Sequence, residues 1–300
     1  MKLKFDKRGK TQPDPFIFRD DNGKLYLYAT GFRGVQAYSA DRIDGVWHYE
    51  GMVLRIPRGK RYWAPSMLKH EGKYYLYFSY HVPRMFEHMH VAVSDSPLGP
   101  FTNITKLYER FTIDSHAVKT EAGLFLFYAE NNENCGRAGT RVFVDKLLDP
   151  LTPANFCKEV VSPTRDEEIT GEREGKPWHT VEGPFYIRKD GWQYVMYSGG
   201  AFTDDTYHIG YAAAKTDEEE LTKIEFEKFA PVGDFRPVMA TNEREEGVGH
   251  HSVIEIDGEF YAVYHARDIG KRQESDYKEV RTARFCKLKV ENGVITAEQE

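Results

Sequence analysis

Five copies of one short pattern run through the 300-residue chain. Each copy has a short apolar run, a polar turn that contains glycine, and a second run in which aromatic and aliphatic residues alternate. The copies are FIFRDDNGKLYLYAT (16–30), SMLKHEGKYYLYFS (66–79), AVKTEAGLFLFYAE (117–130), PFYIRKDGWQYVMYSG (184–199) and SVIEIDGEFYAVYHA (252–266). Alternation with a period of two residues on one side of a glycine turn is typical of a β-hairpin. The sequence therefore predicts five hairpins.

The spacing of these hairpins predicts the architecture. The turn glycines are Gly23, Gly72, Gly123, Gly191 and Gly258, with separations of 49, 51, 68 and 67 residues. A further strand-like run follows each hairpin, so each repeat offers three or four antiparallel strands. Radial repetition of such units is typical of a β-propeller. We expect an all-β chain folded as a single five-bladed β-propeller.

The repeats also set the expected boundaries. We predict one catalytic domain over residues 1–300, with blades at about 11–50, 60–105, 110–150, 178–230 and 245–292. Two segments do not fit the repeat. The segment TDEEELTKI (216–224) has the capping threonine and early acids of a short helix. The segment PTRDEEITGEREGK (163–176) has eight charged residues of fourteen, which favours a solvated loop, the alternative being a rim that shapes a cleft.

Composition excludes several classes of function. The chain has 41 Lys and Arg against 47 Asp and Glu, a net charge of −6, which is too balanced for nucleic-acid binding through a basic face. Three cysteines cannot form a disulfide framework, and no apolar run has the length of a membrane span. The N-terminal MKLKFDKRGK lacks the apolar core of a secretory signal. We therefore expect a cytoplasmic protein with no nucleic-acid or membrane partner; the sequence does not determine the oligomeric state.

Carboxylic acids recur at one position of the repeat. Counting back nine residues from each turn glycine reaches Asp14, Trp63, Asp114, Glu182 and Gly249. The first strands of propeller blades surround a central funnel, so these positions should face one another. Carboxylates gathered there repel, and their pKa values should separate, which favours an acid/base site. One protonated and one ionised carboxyl is the pair that hydrolysis of a glycosidic bond requires.

The residues around these acids resemble a known family. The set Asp14-Pro15, Trp63-Ala64-Pro65, Ile113-Asp114, Val181-Glu182-Gly183-Pro184 and Gly249-His250 is similar to glycoside hydrolase family 43, over residues 11–290. The resemblance implies an inverting glycosidase that acts on arabinose- or xylose-containing oligosaccharides of plant cell walls. It implies Asp14 as general base, Glu182 as general acid and Asp114 as the acid that orients Glu182 and tunes its pKa. In an inverting enzyme the carboxyl groups of Asp14 and Glu182 should lie about 6.5–9.5 Å apart.

The resemblance also suggests residues that bind substrate. Trp63 and Phe32 match aromatic walls of the sugar site, Arg281 and Arg267 match arginines that bind substrate, and His250 matches a central histidine. His250 is also the candidate metal ligand. No cofactor is required, but a structural Ca²⁺ at the propeller axis stays open, although calcium prefers oxygen ligands.

The substrate stays open among related sugars. The segment Tyr264-His265-Ala266-Arg267 resembles one in the family's arabinofuranosidases, so we expect an exo-acting α-L-arabinofuranosidase. A β-xylosidase or an endo-arabinanase of the same family is the alternative. A non-catalytic carbohydrate-binding propeller is the alternative of another class, because a fold does not fix a function.

Overall fold

The computed structural model describes residues 1–6, 11–81, 87–231 and 233–299. Almost all regular structure there is β-strand. Within these ranges the helical segments are three short 3₁₀ turns, at Asp166–Glu168, Leu221–Lys223 and Lys271–Gln273. None of the described helices has the length and apolar character to cross a membrane.

The strands form five consecutive units. The first contains Lys4–Phe5 (β1), Phe16–Arg19 (β2), Leu25–Ala29 (β3), Val35–Ala40 (β4) and Val46–Leu54 (β5). The second contains Lys60–His70 (β6), Lys73–His81 (β7), His88–Ser94 (β8) and Thr102–Lys106 (β9). The third contains Ile113–Thr120 (β10), Gly123–Asn132 (β11), Gly139–Asp149 (β12), Thr152–Pro153 (β13) and Lys158–Val161 (β14). The fourth contains Ile169–Arg173 (β15), Lys176–Lys189 (β16), Trp192–Gly199 (β17), His208–Lys215 (β18) and Glu227–Lys228 (β19). The fifth contains Glu245–Ile256 (β20), Glu259–Asp268 (β21), Thr282–Glu291 (β22) and Val294–Ala297 (β23).

The five units close into a ring. Each central hairpin is antiparallel, and a short parallel pairing of β12 with β16 joins the third and fourth units into one sheet. The strands β2, β6, β10, β16 and β20 contact one another in that order, and β20 also contacts β2. The innermost strands therefore surround a common axis, as the predicted propeller fold requires.

The apolar core is divided among the interfaces between neighbouring units. Five hydrophobic clusters exist among the described residues, one for each adjacent pair of units. Tyrosines fill much of this space and donate hydrogen bonds to the next unit. The Tyr28 hydroxyl donates to Pro97 O at 2.7 Å and the Tyr77 hydroxyl to Pro150 O at 2.8 Å. The high aromatic content of the sequence thus stabilises contacts between blades.

A kink marks the point where each unit faces the axis. One residue there has positive φ in every repeat: Asp14 (52°), Ala64 (42°), Asp114 (61°), Gly183 (57°) and His250 (43°). In β6, β10, β16 and β20 the pairing register shifts at the same place, which is a β-bulge. Such bulges redirect side chains, and those in β10 and β16 lie at Asp114 and Glu182.

Two local predictions differ from the structure. Residues 216–224 form only the 3₁₀ turn Leu221–Lys223, because Gln193, fully buried, donates to the carbonyls of Thr216 at 3.0 Å and Glu218 at 2.8 Å. The charged segment 163–176 contains a 3₁₀ turn and β15, which pairs with β16. It is an ordered hairpin rather than the solvated loop that its charge favours.

Candidate active site

Asp14 is buried at the start of the first blade, and its carboxylate has several partners. Thr30 Oγ1 donates to Oδ2 at 2.5 Å, and Arg281 Nη1 donates to Oδ1 at 3.3 Å. The backbone N–H of Asp14 donates to His265 Nδ1 at 3.1 Å. These contacts fix the carboxylate on one wall of the central pocket.

The same surroundings keep Asp14 ionised. Burial alone would raise its pKa, but the neighbouring His250, Arg281 and His265 lower the pKa well below its ordinary value. Burial in turn lowers the pKa of His250, so that imidazole is uncharged near neutral pH. Arg281 is therefore the cation that holds Asp14 in its charged form.

Glu182 has the opposite environment. Burial and the charge of Asp14 raise the pKa of Glu182 to about 7, against the lowering effects of Tyr207 and Arg281. The Tyr207 hydroxyl donates to Glu182 Oε1 at 2.7 Å. A carboxyl group with this pKa holds a proton at mildly acid pH and can release it, which is the property of a general acid.

Asp114 interacts with both of these acids. Burial, Glu182 and Asp14 raise the pKa of Asp114 well above its ordinary value. Its Oδ2 accepts a hydrogen bond from the N–H of Gly183, the residue after Glu182, at 3.0 Å. Asp114 is thus linked to Glu182 through the backbone as well as by charge.

His250 lies against both aspartates. Its Nδ1 is 3.5 Å from Asp14 Oδ1 and 4.0 Å from Asp114 Oδ2, and its backbone N–H donates to Ser198 Oγ at 2.7 Å. Donor atoms of Asp114, Glu182 and His250 lie within 4.8 Å of one another. Calcium takes about six to eight oxygen ligands, and these described residues offer two carboxylates and one imidazole. They do not form a calcium site by themselves, and calcium at the axis stays a prediction.

The three acids line one small pocket, called here the inner pocket. It has a volume of about 180 Å³. Aromatic and aliphatic walls face charged and hydroxyl groups across it. Its lining residues are Asp14, Thr30, Trp63, Ile113, Asp114, Glu182, Phe202, His250 and Arg281. Apolar walls with a few convergent polar groups are typical of a small-molecule site.

A larger pocket of about 470 Å³, called here the outer pocket, adjoins the inner one. The two share Trp63, Ile113, Glu182 and Phe202. Asp14 lines only the inner pocket, whereas Glu182 lines both. The two acids therefore occupy different sides of the site.

The structure brings most, but not all, of the sequence-predicted residues to the inner pocket. Phe32 does not line either pocket; its side chain is exposed and lies outside the described lining. Arg267 is only 1% exposed, and its guanidinium donates to Phe202 O at 2.6 Å and Asp204 O at 2.8 Å. It therefore positions the loop that carries Phe202 instead of facing the pocket.

Other residues of the site were not predicted from the sequence. Thr30 lies directly after the second strand of the first hairpin, and Tyr207 and Phe202 lie on the connection between β17 and β18. Thr30 contacts Asp14, Tyr207 contacts Glu182, and the Phe202 ring lies against Arg281. These contacts join different strands, so no local spacing indicates them. His265, which contacts Asp14, belongs to the Tyr264–Arg267 motif, in which the sequence predicts Arg267 as the substrate-binding residue.

Known proteins match the chain over most of its length. The model of the family described as "Glycosyl hydrolases family 43" matches residues 9–294. An extracellular exo-α-(1→5)-L-arabinofuranosidase of Streptomyces avermitilis is 26% identical, over 85% of this chain and 54% of that protein. The chain thus spans about half the length of this relative.

Two further matches cover a larger share of both aligned chains. A xylosidase/arabinosidase 43A of Humicola insolens is 22% identical over 86% of this chain and 88% of its own. The crystal structure of a thermostable family-43 glycoside hydrolase has a TM-score of 0.81, with 26% identity over 96% of this chain and 93% of that one. With the ring of five units and the three inward-facing acids, the match over residues 9–294 shows that this chain belongs to glycoside hydrolase family 43.

Proposed function

We propose that this protein is an inverting, exo-acting glycosidase that removes terminal α-L-arabinofuranosyl units from plant cell-wall oligosaccharides. One observation carries the proposal. Asp14 and Glu182 line the same inner pocket, and their surroundings shift their pKa values in opposite directions. Such a pair supplies a base and an acid at one pH.

The mechanism follows from these two protonation states. The Asp14 carboxylate removes a proton from a water molecule, whose oxygen attacks the anomeric carbon. Glu182 gives its proton to the glycosidic oxygen as that bond breaks, so the leaving group departs as a neutral alcohol. After the reaction Asp14 is protonated and Glu182 is ionised, and exchange with solvent restores both groups.

Neighbouring residues support these roles. Asp114 interacts with the charge of Glu182, and its Oδ2 accepts the hydrogen bond from Gly183 N–H that holds the backbone next to Glu182. Arg281 and Thr30 hold Asp14 in position. Trp63 and Phe202 supply apolar surface for the faces of the sugar ring. The small volume of the inner pocket favours one sugar unit and hence exo action.

The choice of arabinose rests on curated relatives that carry that activity in their names, among them the Streptomyces avermitilis enzyme. A β-xylosidase is the second candidate, because the Humicola insolens relative is named for both sugars. An endo-arabinanase would need space for the arabinan chain of the substrate to continue beyond the inner pocket. The predicted cytoplasmic location stays a prediction; the Streptomyces avermitilis relative is named as extracellular.

Paired nitrophenyl glycosides test the proposal. We expect release of nitrophenol from the α-L-arabinofuranoside at a kcat/KM at least about tenfold above that for the β-D-xyloside. Proton NMR of the first product should show the inverted anomer. Retention would contradict the roles of Asp14 and Glu182. Sugar binding without turnover in the unaltered protein would favour a carbohydrate-binding propeller.

A further inference from the structure

The position of Glu182 gives the cleft a direction. A general acid protonates the oxygen that joins the leaving group to the cleaved sugar. The leaving group therefore lies on the same side of the scissile bond as the general acid. Glu182 lines both pockets, and Asp14 lines only the inner one. The cleaved sugar therefore occupies the inner pocket, and the leaving group extends into the outer pocket.

We propose that the outer pocket is a subsite for an uncharged oligosaccharide leaving group of two or more sugar units, with the β15–β16 hairpin as its specificity-determining wall. The inference rests on the proposed function and names its substrate more closely. The outer pocket has more than twice the volume of the inner one, at about 470 Å³ against 180 Å³. A leaving group of one sugar would leave much of it unfilled.

The hairpin forms one continuous wall of this pocket. Residues 170–173 of β15, together with Trp178 and Thr180 of β16, line it. Gly171 pairs with Trp178 across the hairpin. The turn residues Glu174 and Gly175 both have positive φ, 51° and 73°, as a two-residue hairpin turn requires.

A buried ion pair anchors this hairpin to the propeller. Glu168, which is fully buried just before β15, pairs with Lys228 of β19 and accepts a hydrogen bond from Thr164 N at 2.7 Å. The neighbouring Arg165 donates to Ala230 O at 3.1 Å. These contacts fix the start of the β15–β16 hairpin, as a preorganised subsite requires.

The chemistry of the lining suits sugar hydroxyl groups. Arg173 lines the pocket, and its guanidinium, which carries N–H donors, stacks 3.6 Å from the ring centroid of Trp178. Thr140, Thr170 and Asn131 add hydroxyl and amide groups that donate and accept. Trp63 and Phe202 continue the apolar surface from the inner pocket.

The charge of the lining favours a neutral ligand. Two acidic residues other than the proton-carrying Glu182, Glu87 and Glu172, line the outer pocket, and Arg173 is the basic residue among the lining residues. Acidic groups in excess repel an anionic leaving group such as a uronic acid chain. A neutral pentose chain meets no such repulsion.

Chain length of the substrate is the variable that tests this subsite. Wild-type kcat/KM is measured on a nitrophenyl glycoside and on oligosaccharides of two, three and four units of the sugar it releases. The scissile bond is the same in all oligosaccharides, so only the length of the leaving group changes. We expect kcat/KM to rise by about tenfold from two units to four.

Three variants separate the hairpin from the catalytic site. In Arg173→Ala and in Thr170→Val the rise with chain length should shrink at least about threefold, mainly through KM. Hydrolysis of the nitrophenyl glycoside should stay within about twofold of wild type, which also shows that the variants fold. Lys176→Ala is the matched control, because Lys176 is exposed on the same hairpin and does not line the pocket; it should keep the full rise.

The outcomes distinguish this inference from the proposed function. Turnover of the nitrophenyl glycoside with kcat/KM independent of chain length would overturn the subsite and leave the glycosidase intact. A rise that persists unchanged in both pocket variants, or that disappears in Lys176→Ala as well, would also overturn it. No turnover of any substrate would overturn the proposed function and the subsite together.

Discussion

Two carboxyl groups in one pocket acquire different properties from their nearest neighbours. Asp14 contacts a permanent cation, Arg281, and accepts from Thr30. Glu182 accepts from a neutral tyrosine and faces other acids. The sequence predicts that the acids meet, because they recur near the same point of each hairpin. It does not predict which acid keeps a proton, because Arg281 and Tyr207 reach them from other strands.

The pH dependence of hydrolysis should report these two groups. We expect kcat/KM to fall above about pH 7, where Glu182 loses its proton, and to stay level well into the acid range, because Asp14 remains ionised there. Arg281 lowers the pKa of both carboxyls, so Arg281→Gln should move both limbs of the profile to higher pH. Arg42→Gln, an exposed surface change, is the control. If neither limb of the pH profile moves in Arg281→Gln, Arg281 does not lower the pKa values of the two carboxyl groups.

The raised pKa of Glu182 also predicts an effect on stability. Its pKa is about 7 when folded against 4.5 ordinarily, so ionisation opposes folding as pH rises through that range. Glu182→Gln removes this cost and leaves an oxygen to accept from Tyr207. We expect its melting temperature to equal that of wild type near pH 4 and to exceed it by about 3 °C at pH 8. An equal difference at both pH values would show that the charge is not the cause.

The inner strands share a backbone kink at the propeller axis that the sequence pattern only partly indicates. Each blade has a positive-φ residue at the axis, and the true equivalents are Asp14, Ala64, Asp114, Gly183 and His250. Counting nine residues back from the turn glycine misses three of these by one. In the second, fourth and fifth hairpins, glycine is the second residue of a two-residue turn, whereas Gly123 follows its turn and pairs with Thr120. Turn geometry, which spacing alone cannot show, decides the register.

Gly183 tests the role of this kink. Its φ is 57°, and an added Cβ would lie 3.4 Å from His250. Gly183→Ala should lose about 1 kcal/mol of stability from backbone strain and should also lower kcat, because it displaces the N–H that holds Asp114. Urea unfolding and steady-state kinetics give the two readouts. Gly191→Ala, at φ 76° with open space around it, should lose similar stability and keep full activity.

Element types were predictable where the local pattern agreed with the tertiary contacts. The five hairpins are present as the alternation predicts. The predicted helix at 216–224 is wrong because Gln193 captures two of its carbonyls. The charged segment 163–176 forms a hairpin because Glu168 pairs with Lys228, about 60 residues further along the chain. Long-range partners of this kind leave no local signal.

At the scale of the whole molecule, the first residues of the chain link the last blade to the first. β1 pairs in parallel with β5, while Leu3 N donates to Ala283 O at 3.2 Å and Phe285 N donates to Met1 O at 2.8 Å. Leu3 is buried in the cluster between these two blades. The number of blades follows from the repeats, but this closure depends on a two-residue strand that no periodicity predicts.

Leu3→Ala measures the strength of this closure. Removal of a buried leucine side chain should lower the free energy of unfolding by about 2–3 kcal/mol. The exposed neighbour Lys4 provides the control, and Lys4→Ala should change the free energy of unfolding by less than about 0.5 kcal/mol. Urea unfolding followed by tryptophan fluorescence gives both values. Equal effects of the two changes would argue against a packed closure at Leu3.

The central claim is that Glu182 donates the proton to the leaving group while Asp14 activates water. The dependence of the loss on the leaving group tests it most directly. In Glu182→Ala, kcat/KM should fall by about 10³-fold or more on an oligosaccharide, whose leaving group needs a proton, and far less on a dinitrophenyl glycoside, which leaves without one. Asp14→Ala should lose activity on both substrates alike. An equal loss on the two substrates in Glu182→Ala would contradict the assignment of Glu182 as the acid.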